Sequence, residues 1–140
     1  MRYPPTILMD SSILLAYYNA RDNYHQPAKN FFENCTSDLL TTIPCITEVM
    51  YLLDRNWQVQ NQFLRGVNLE VFAFVPLLAE DLLRIAELNQ KYSDLPGDFA
   101  DLSLVVISER LNIDAIATLD DDFYVYQRYR NQAFNRVFLG

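Results

Sequence analysis

The stretch from Asp98 to Ile107 places two carboxylates, Asp98 and Asp101, at the start of an almost unbroken apolar run. That pattern predicts the opening of a helix. The two acids are three residues apart, so on a helix they share a face. Val105 lies four residues beyond Asp101 on that face, which aims Asp101 partly toward the core. A carboxylate is seldom set against apolar neighbours without a cation or a metal to compensate it. Asp10, Glu48 and Asp120 keep similar company. The expectation is that these acids meet Asp101 in space and hold a divalent metal.

Read in order, short strands alternate with helices. Thr6 to Met9 is an apolar run ending at Asp10 and reads as a buried parallel strand. Ser11 or Ser12 is placed to cap a helix from Ile13 to Asn19. Asp22 caps a second helix to about Asn34, whose Ala28, Phe31 and Phe32 form one face. Leu39 to Ile43 is a second strand closed by Pro44, followed by a helix from about Ile46 to Asn56 and a further helix over residues 57–68. Leu69 to Val75 reads as a third strand and Ala79 to Tyr92 as an amphipathic helix. The loop Ser93 to Gly97 has turn chemistry and leads into the central helix, Asp98 to about Leu111. Ala115 to Leu119 is a fourth strand running into Asp120, Asp121 and Asp122, and Arg136 to Leu139 a last one.

This alternation predicts a single α/β domain over residues 1–140, with a mainly parallel sheet of four to five strands covered on both faces. Such sheets bind ligands beyond the carboxyl ends of their strands. Asp10 and Asp120 fall at those ends. Glu48 and Asp101 fall in the first turns of helices that begin at the same edge.

Each acid alone has a plain explanation. Asp10 suits a helix entry, and Glu48, Asp98 and Asp101 suit helix N-termini by charge. The run Asp120 to Asp122 suits a polar turn. Four acids at one topological edge, each beside a buried element, need several independent coincidences. Hard oxygen ligands of this kind suit Mg2+ or Mn2+, and the chemistry suggested is phosphodiester hydrolysis.

Other chemistries lack their parts. Three glycines, Gly66, Gly97 and Gly140, cannot build a phosphate-cradling loop. The single histidine, His25, removes any His-rich zinc site, and a helix-face role is its expected one. Cys35 and Cys45 give neither a disulfide framework nor zinc spacing, so reduced thiols in the cytoplasm are expected. No apolar run has the length of a signal-peptide core or a membrane span. The net charge of −7 gives no long-range attraction to nucleic acid.

Taken with their order and spacing, Ile7-Leu8-Met9-Asp10-Ser11-Ser12, Thr47-Glu48-Val49, Asp101-Leu102-Ser103-Leu104-Val105 and Ala117-Thr118-Leu119-Asp120-Asp121-Asp122-Phe123 resemble the PIN-domain ribonucleases, and among them the VapC-type toxins of toxin–antitoxin pairs. The resemblance covers essentially the whole chain, including the turn Asp22-Asn23-Tyr24-His25. It implies a three-layer α/β/α sandwich with metal and catalytic acids Asp10, Glu48, Asp101 and Asp120, and accessory acids Asp98 and Asp122. Ser11 and Thr118 are then the hydroxyls that brace the site. It also implies an RNA substrate, an antitoxin partner and a homodimer.

The tail from Phe123 to Gly140 carries Arg128, Arg130 and Arg136 and no acids, with Tyr124, Tyr126 and Tyr129 interleaved. Arg with stacking aromatics suits single-stranded RNA, so Arg128, Arg130, Tyr126 and Tyr129 are RNA-binding candidates; packed tyrosines and solvated arginines are the alternative. Tyr51, Trp57 and Phe63 are either core or a partner surface. Three functions remain: a metal-dependent ribonuclease, as a toxin or in RNA processing; a catalytically silent binding module; and a phosphotransferase with Asp10 as nucleophile. The last lacks the usual second acid two residues on, where Ser12 stands.

Overall fold

The computed structural model describes residues 3–95 and 98–138. Strand β1 (Thr6–Met9) leads into helices α1 (Ser11–Tyr18) and α2 (His25–Asn34). Strand β2 (Asp38–Thr42) is followed by α3 (Ile43–Leu52), α4 (Trp57–Arg65), β3 (Ala73–Val75) and α5 (Ala79–Lys91). The central helix α6 (Phe99–Arg110) precedes β4 (Ala115–Ala117) and a 3-10 turn at Asp121–Tyr124. A small antiparallel hairpin, β5 (Gln127–Arg128) and β6 (Gln132–Ala133), leads to β7 (Asn135–Arg136).

Five strands form one sheet in the order β3-β2-β1-β4-β7, every neighbouring pair parallel. The fold is therefore the expected α/β sandwich. Alternation along β1 divides its side chains between two cores. Ile7 and Met9 pack with residues of α1, α2 and α4, such as Leu14, Phe31 and Phe63. Leu8 and Ile116 face the other way, onto Leu88 of α5 and Leu102 and Val105 of α6. Helix α6 is buried without a break from Ala100 to Ser108, because it lies between the sheet, α3, α5 and β5. A helix apolar all round needs such enclosure. Its serines are paired: the Ser103 hydroxyl donates to the Ala100 carbonyl at 2.6 Å and lies 2.7 Å from that of Thr42 at the end of β2.

Strand order reverses between β1 and β4. From β1 the chain steps outward through β2 to β3, then returns to lay β4 on the other side. That reversal opens a crevice at the carboxyl ends of β1 and β4, where α/β sheets bind ligands.

Several boundaries differ from expectation. Tyr24, not Asp22, stands at the N-terminus of α2, and β4 ends at Ala117 rather than Leu119. Asp10, not Ser11 or Ser12, caps α1, its side chain accepting from the Ile13 N–H. Helix α3 begins at Ile43 rather than Ile46. Pro44 belongs to its first turn, where a missing N–H costs nothing. Glu48 is consequently in the second turn of α3. Strand β3 is only Ala73–Val75, because Glu70 adopts a φ of 60°, which extended chain does not tolerate. The last strand is Asn135–Arg136 rather than Arg136 to Leu139; Leu139 lies outside the described residues. Among the described residues no helix is long and apolar enough to cross a membrane.

Candidate metal centre

Asp10 directly follows β1 and Thr118 directly follows β4. The two strands are neighbours in register, Met9 beside Ala117, so Asp10 and Thr118 emerge together. The Thr118 hydroxyl donates to Asp10 Oδ2. Asp10 Oδ1 accepts from the Ser12 hydroxyl at 2.6 Å and from the Ile13 N–H at 3.2 Å. Ser12 in turn accepts the Leu119 N–H at 2.9 Å, and Thr118 accepts the Asp120 N–H at 2.8 Å. Two hydroxyls thus lock the end of β4 to Asp10 and fix the direction of the chain that carries Asp120.

Arg136 fastens the same chain from outside. Its guanidinium donates to the carbonyls of Asp120 at 2.7 Å and Thr118 at 3.3 Å, and lies 4.2 Å from the Tyr124 ring centre. Asp101 enters from the first turn of α6. One carboxylate oxygen from each of Asp10, Asp101 and Asp120 lies within 4.8 Å of the other two. Asp10 and Asp101 are buried and Asp120 is half-buried. Among the described residues none of the three makes an ion pair.

The sequence model of the PIN domain family matches residues 7–129. The chain belongs to the PIN domain family. The PIN fold is also that of VapC20 of Mycobacterium tuberculosis, described as a sarcin–ricin loop cleaving toxin, which is similar to this chain at a TM-score of 0.78 and 19% identity. The likeness covers 85% of this chain and 93% of VapC20. Among curated proteins no sequence matches significantly.

Electrostatics in the PIN site are unfavourable as the residues stand. Burial pushes the Asp101 carboxyl up to about 9, and the charges of Asp120, Asp10 and Asp98 add to the effect. Asp10 is pushed up to about 6 by burial, against the lowering pull of the Ser12, Thr118 and Ile13 hydrogen bonds. Three converging carboxylates without a cation are the donor set that a hard divalent ion requires. A second observation points the same way. The Tyr126 hydroxyl is buried without a hydrogen-bond partner among the described residues, and burial and then the charges of Asp101, Asp122, Asp120 and Asp98 raise its pKa. A hydrated ion among those acids would bring water to it.

Glu48 stands beside the three-acid group rather than within it. It neighbours Asp98 and Ser11. Burial and then Asp98 push its carboxyl up to about 6, while Ser11 favours the charged form. Asp98 is exposed and caps α6, its Oδ1 accepting the Ala100 N–H at 2.8 Å. Asp122 is half-buried and donates its N–H to Asp120 Oδ1 at 2.9 Å. Thr118 braces Asp10 and Ser11 neighbours Glu48. The hydroxyl missed as a brace in the sequence is Ser12. Its place in the first turn after a capping aspartate was the available signal.

The tail is placed differently from its expected role. Tyr126 is fully buried against Tyr92 and Phe123, and Arg128 is buried with its guanidinium donating to the Ser108 carbonyl and to Asn112 Oδ1, both at 3.0 Å. Neither side chain presents a surface to RNA. Tyr129 and Arg130 are exposed but lie with Glu109 and Asn112 at the far end of α6. Glu109 is eight residues beyond Asp101, about 12 Å along the helix axis. Tyr129 carries the Arg84 guanidinium at 4.6 Å from its ring centre. Phe63 is core, whereas Tyr51 and Trp57 are exposed. His25 Nδ1 lies 2.9 Å from the Ala16 carbonyl and ties α2 to α1.

Proposed function

We propose that this PIN domain is a Mg2+- or Mn2+-dependent endoribonuclease and the toxin of a toxin–antitoxin pair. The observation that carries the reading is the convergence of Asp10, Asp101 and Asp120 at the strand-order reversal, with no ion pair to any of them among the described residues. These three acids would hold the ion, with Glu48 and Asp98 extending the acidic edge and Asp122 supporting Asp120. A divalent ion bound there acidifies a water and neutralises charge on the scissile phosphate. The chain contributes fixed geometry. Ser12, Thr118 and the Ile13 N–H keep both oxygens of Asp10 aimed, and Arg136 keeps Asp120 from swinging away. In the hydrolysis a water oxygen bonds to phosphorus, the bond to the leaving sugar oxygen breaks, and that oxygen takes a proton.

The likeness to VapC20 supports the choice of RNA and the toxin role. Purified protein with Mn2+ or Mg2+ is expected to cleave single-stranded RNA, and EDTA to abolish the cleavage. Persistence of cleavage in EDTA would remove the metal from the reading; no cleavage with either ion would remove the nuclease. A neighbouring gene for a small DNA-binding protein would support the antitoxin, and its absence would favour an RNA-processing role.

A homodimer with a twofold axis is part of the same proposal. Exposed Tyr51, Leu52 and Trp57 offer apolar surface for it. Sedimentation at high concentration is expected to give a dimer, and monomer alone would discard it.

A further inference from the structure

Two grooves flank the metal centre, and their chemistry differs. One is lined by Ile43, Pro44, Tyr51 and Phe99 beside Glu48 and Asp98, and holds no cation. A phosphodiester entering there meets only negative charge. The other, about 420 Å3, is bounded by Ser12 and Leu119, the pair that braces Asp10, and by Arg21, Asn23 and Tyr24 across from them.

Arg21 is exposed, and among the described residues its guanidinium makes no ion pair or hydrogen bond. Its loop is nevertheless held. The Arg21 N–H donates to Asn19 Oδ1 at 3.1 Å, and the Tyr24 N–H donates to Asp22 Oδ1 at 2.8 Å. Asp22 also lines the groove, but its carboxylate is engaged with that backbone. Tyr24 is 46% exposed, enough to offer a ring face to a base. Arg21 continues into an adjoining groove that contains Asp54 as well as Arg55. Arg84, Arg110, Arg128 and Arg136 are all committed to carboxylates or backbone carbonyls. The tail does bring Arg136 and Tyr124 beside Asp120, but that guanidinium is engaged by the Asp120 and Thr118 carbonyls, whereas in the α1–α2 loop a guanidinium not otherwise engaged stands with an exposed tyrosine in one groove.

We propose that Arg21 and Tyr24 form the subsite that grips the RNA strand on the Asp10 side of the metal centre, Arg21 on a phosphate and Tyr24 stacked on a base. The proposal rests on the ribonuclease reading for its substrate. Stacking of one base and pairing of one phosphate set the scale, each on the order of tenfold in affinity.

The test measures two things on the full chain with a short labelled single-stranded RNA: binding with Ca2+ in place of Mn2+, and cleavage with Mn2+. Arg21→Ala is expected to weaken binding about tenfold and to reduce the log–log salt slope by about 0.7, the value of one phosphate on a single strand. Tyr24→Ala is expected to weaken binding by about tenfold without changing the slope. Both variants should raise KM while leaving kcat within about twofold. Arg130→Ala, at the far end of α6, should change neither. Unchanged affinity and slope in Arg21→Ala, or equal losses in Arg130→Ala, would overturn the subsite and return Arg21 and Tyr24 to a protein-facing surface. Wild type that binds RNA through Arg21 but does not cleave it would keep the subsite and discard the nuclease. Wild type that neither binds nor cleaves would discard both.

Discussion

Asp10→Asn and Asp101→Asn are each expected to abolish metal-dependent RNA cleavage while the protein stays folded. Loss should exceed the about 10–100-fold that changes to the outer support of a metal site cost, because these oxygens are the proposed ligands themselves. Folding should survive for a local reason. Asn at position 10 retains one carbonyl oxygen for Ser12 and Ile13, and its amide faces Thr118, whose hydroxyl can turn to accept. Asn at position 101 replaces a carboxyl that burial keeps protonated near neutral pH, so the metal-free fold loses no charge there. Asp98→Asn is the matched control: asparagine caps a helix as well as aspartate does, and Asp98 is exposed. Its cost should stay below about tenfold, the lower end of that outer range. Cleavage assays on the three variants, with circular dichroism to check the fold, decide the matter. Full activity in Asp10→Asn or Asp101→Asn would remove the proposed centre, and equal loss in Asp98→Asn would shift it toward the Glu48 side.

Much of this arrangement was legible because the pattern and the physics agree. An apolar run that ends on an acid, as Thr6 to Met9 does before Asp10, is a buried strand delivering a side chain to a sheet edge. Helix α6 was legible for the same reason, since nothing but enclosure accommodates its apolar circumference. Pro44 misled because one residue type serves two purposes: it closes strands and also opens helices. The hairpin at the tail left almost no pattern. Its strands are two residues each, and its turn uses Arg130 and Asn131 at φ 60° and 57° where glycine would have announced it. Tyr126 packs as the alternative reading of the tail has it, but buried Arg128 fits neither reading, because composition does not say which arginine will find a carbonyl. Only the fold brings the Ser108 carbonyl at the end of α6 to Arg128. Arg21 gave no signal at all in the sequence. Its position beside Ser12 and Leu119 arises from the way the loop folds back along α1.

The metal-free protein is expected to lose stability as pH rises, and Asp101→Asn to melt higher than wild type in EDTA near neutral pH. The sign follows from the raised pKa values. In the unfolded chain an aspartate titrates near 3.9. In the folded protein Asp10 and Glu48 are pushed up to about 6 and Asp101 up to about 9. Between those limits the folded state keeps protons that the unfolded chain has released, so raising pH favours unfolding. The stabilisation is complete below about pH 4 and is lost progressively through 6 and toward 9. For each retained proton the slope is about 1.4 kcal/mol per pH unit. The three-acid group shares its protons, so the curve belongs to the set. Bound Mn2+ offsets the repulsion and adds about 1.4 kcal/mol at ten times its Kd, roughly 4 °C for a chain of this size. Removing the titrating Asp101 carboxyl should flatten the pH dependence, raise the melting temperature in EDTA by several degrees and shrink the response to Mn2+. Thermal melting of both proteins across pH, in EDTA and through a Mn2+ titration, reads all three effects. A variant less stable than metal-free wild type, with an equal response to Mn2+, would make Asp101 a structural acid at the start of α6 and break the link between its burial and metal binding.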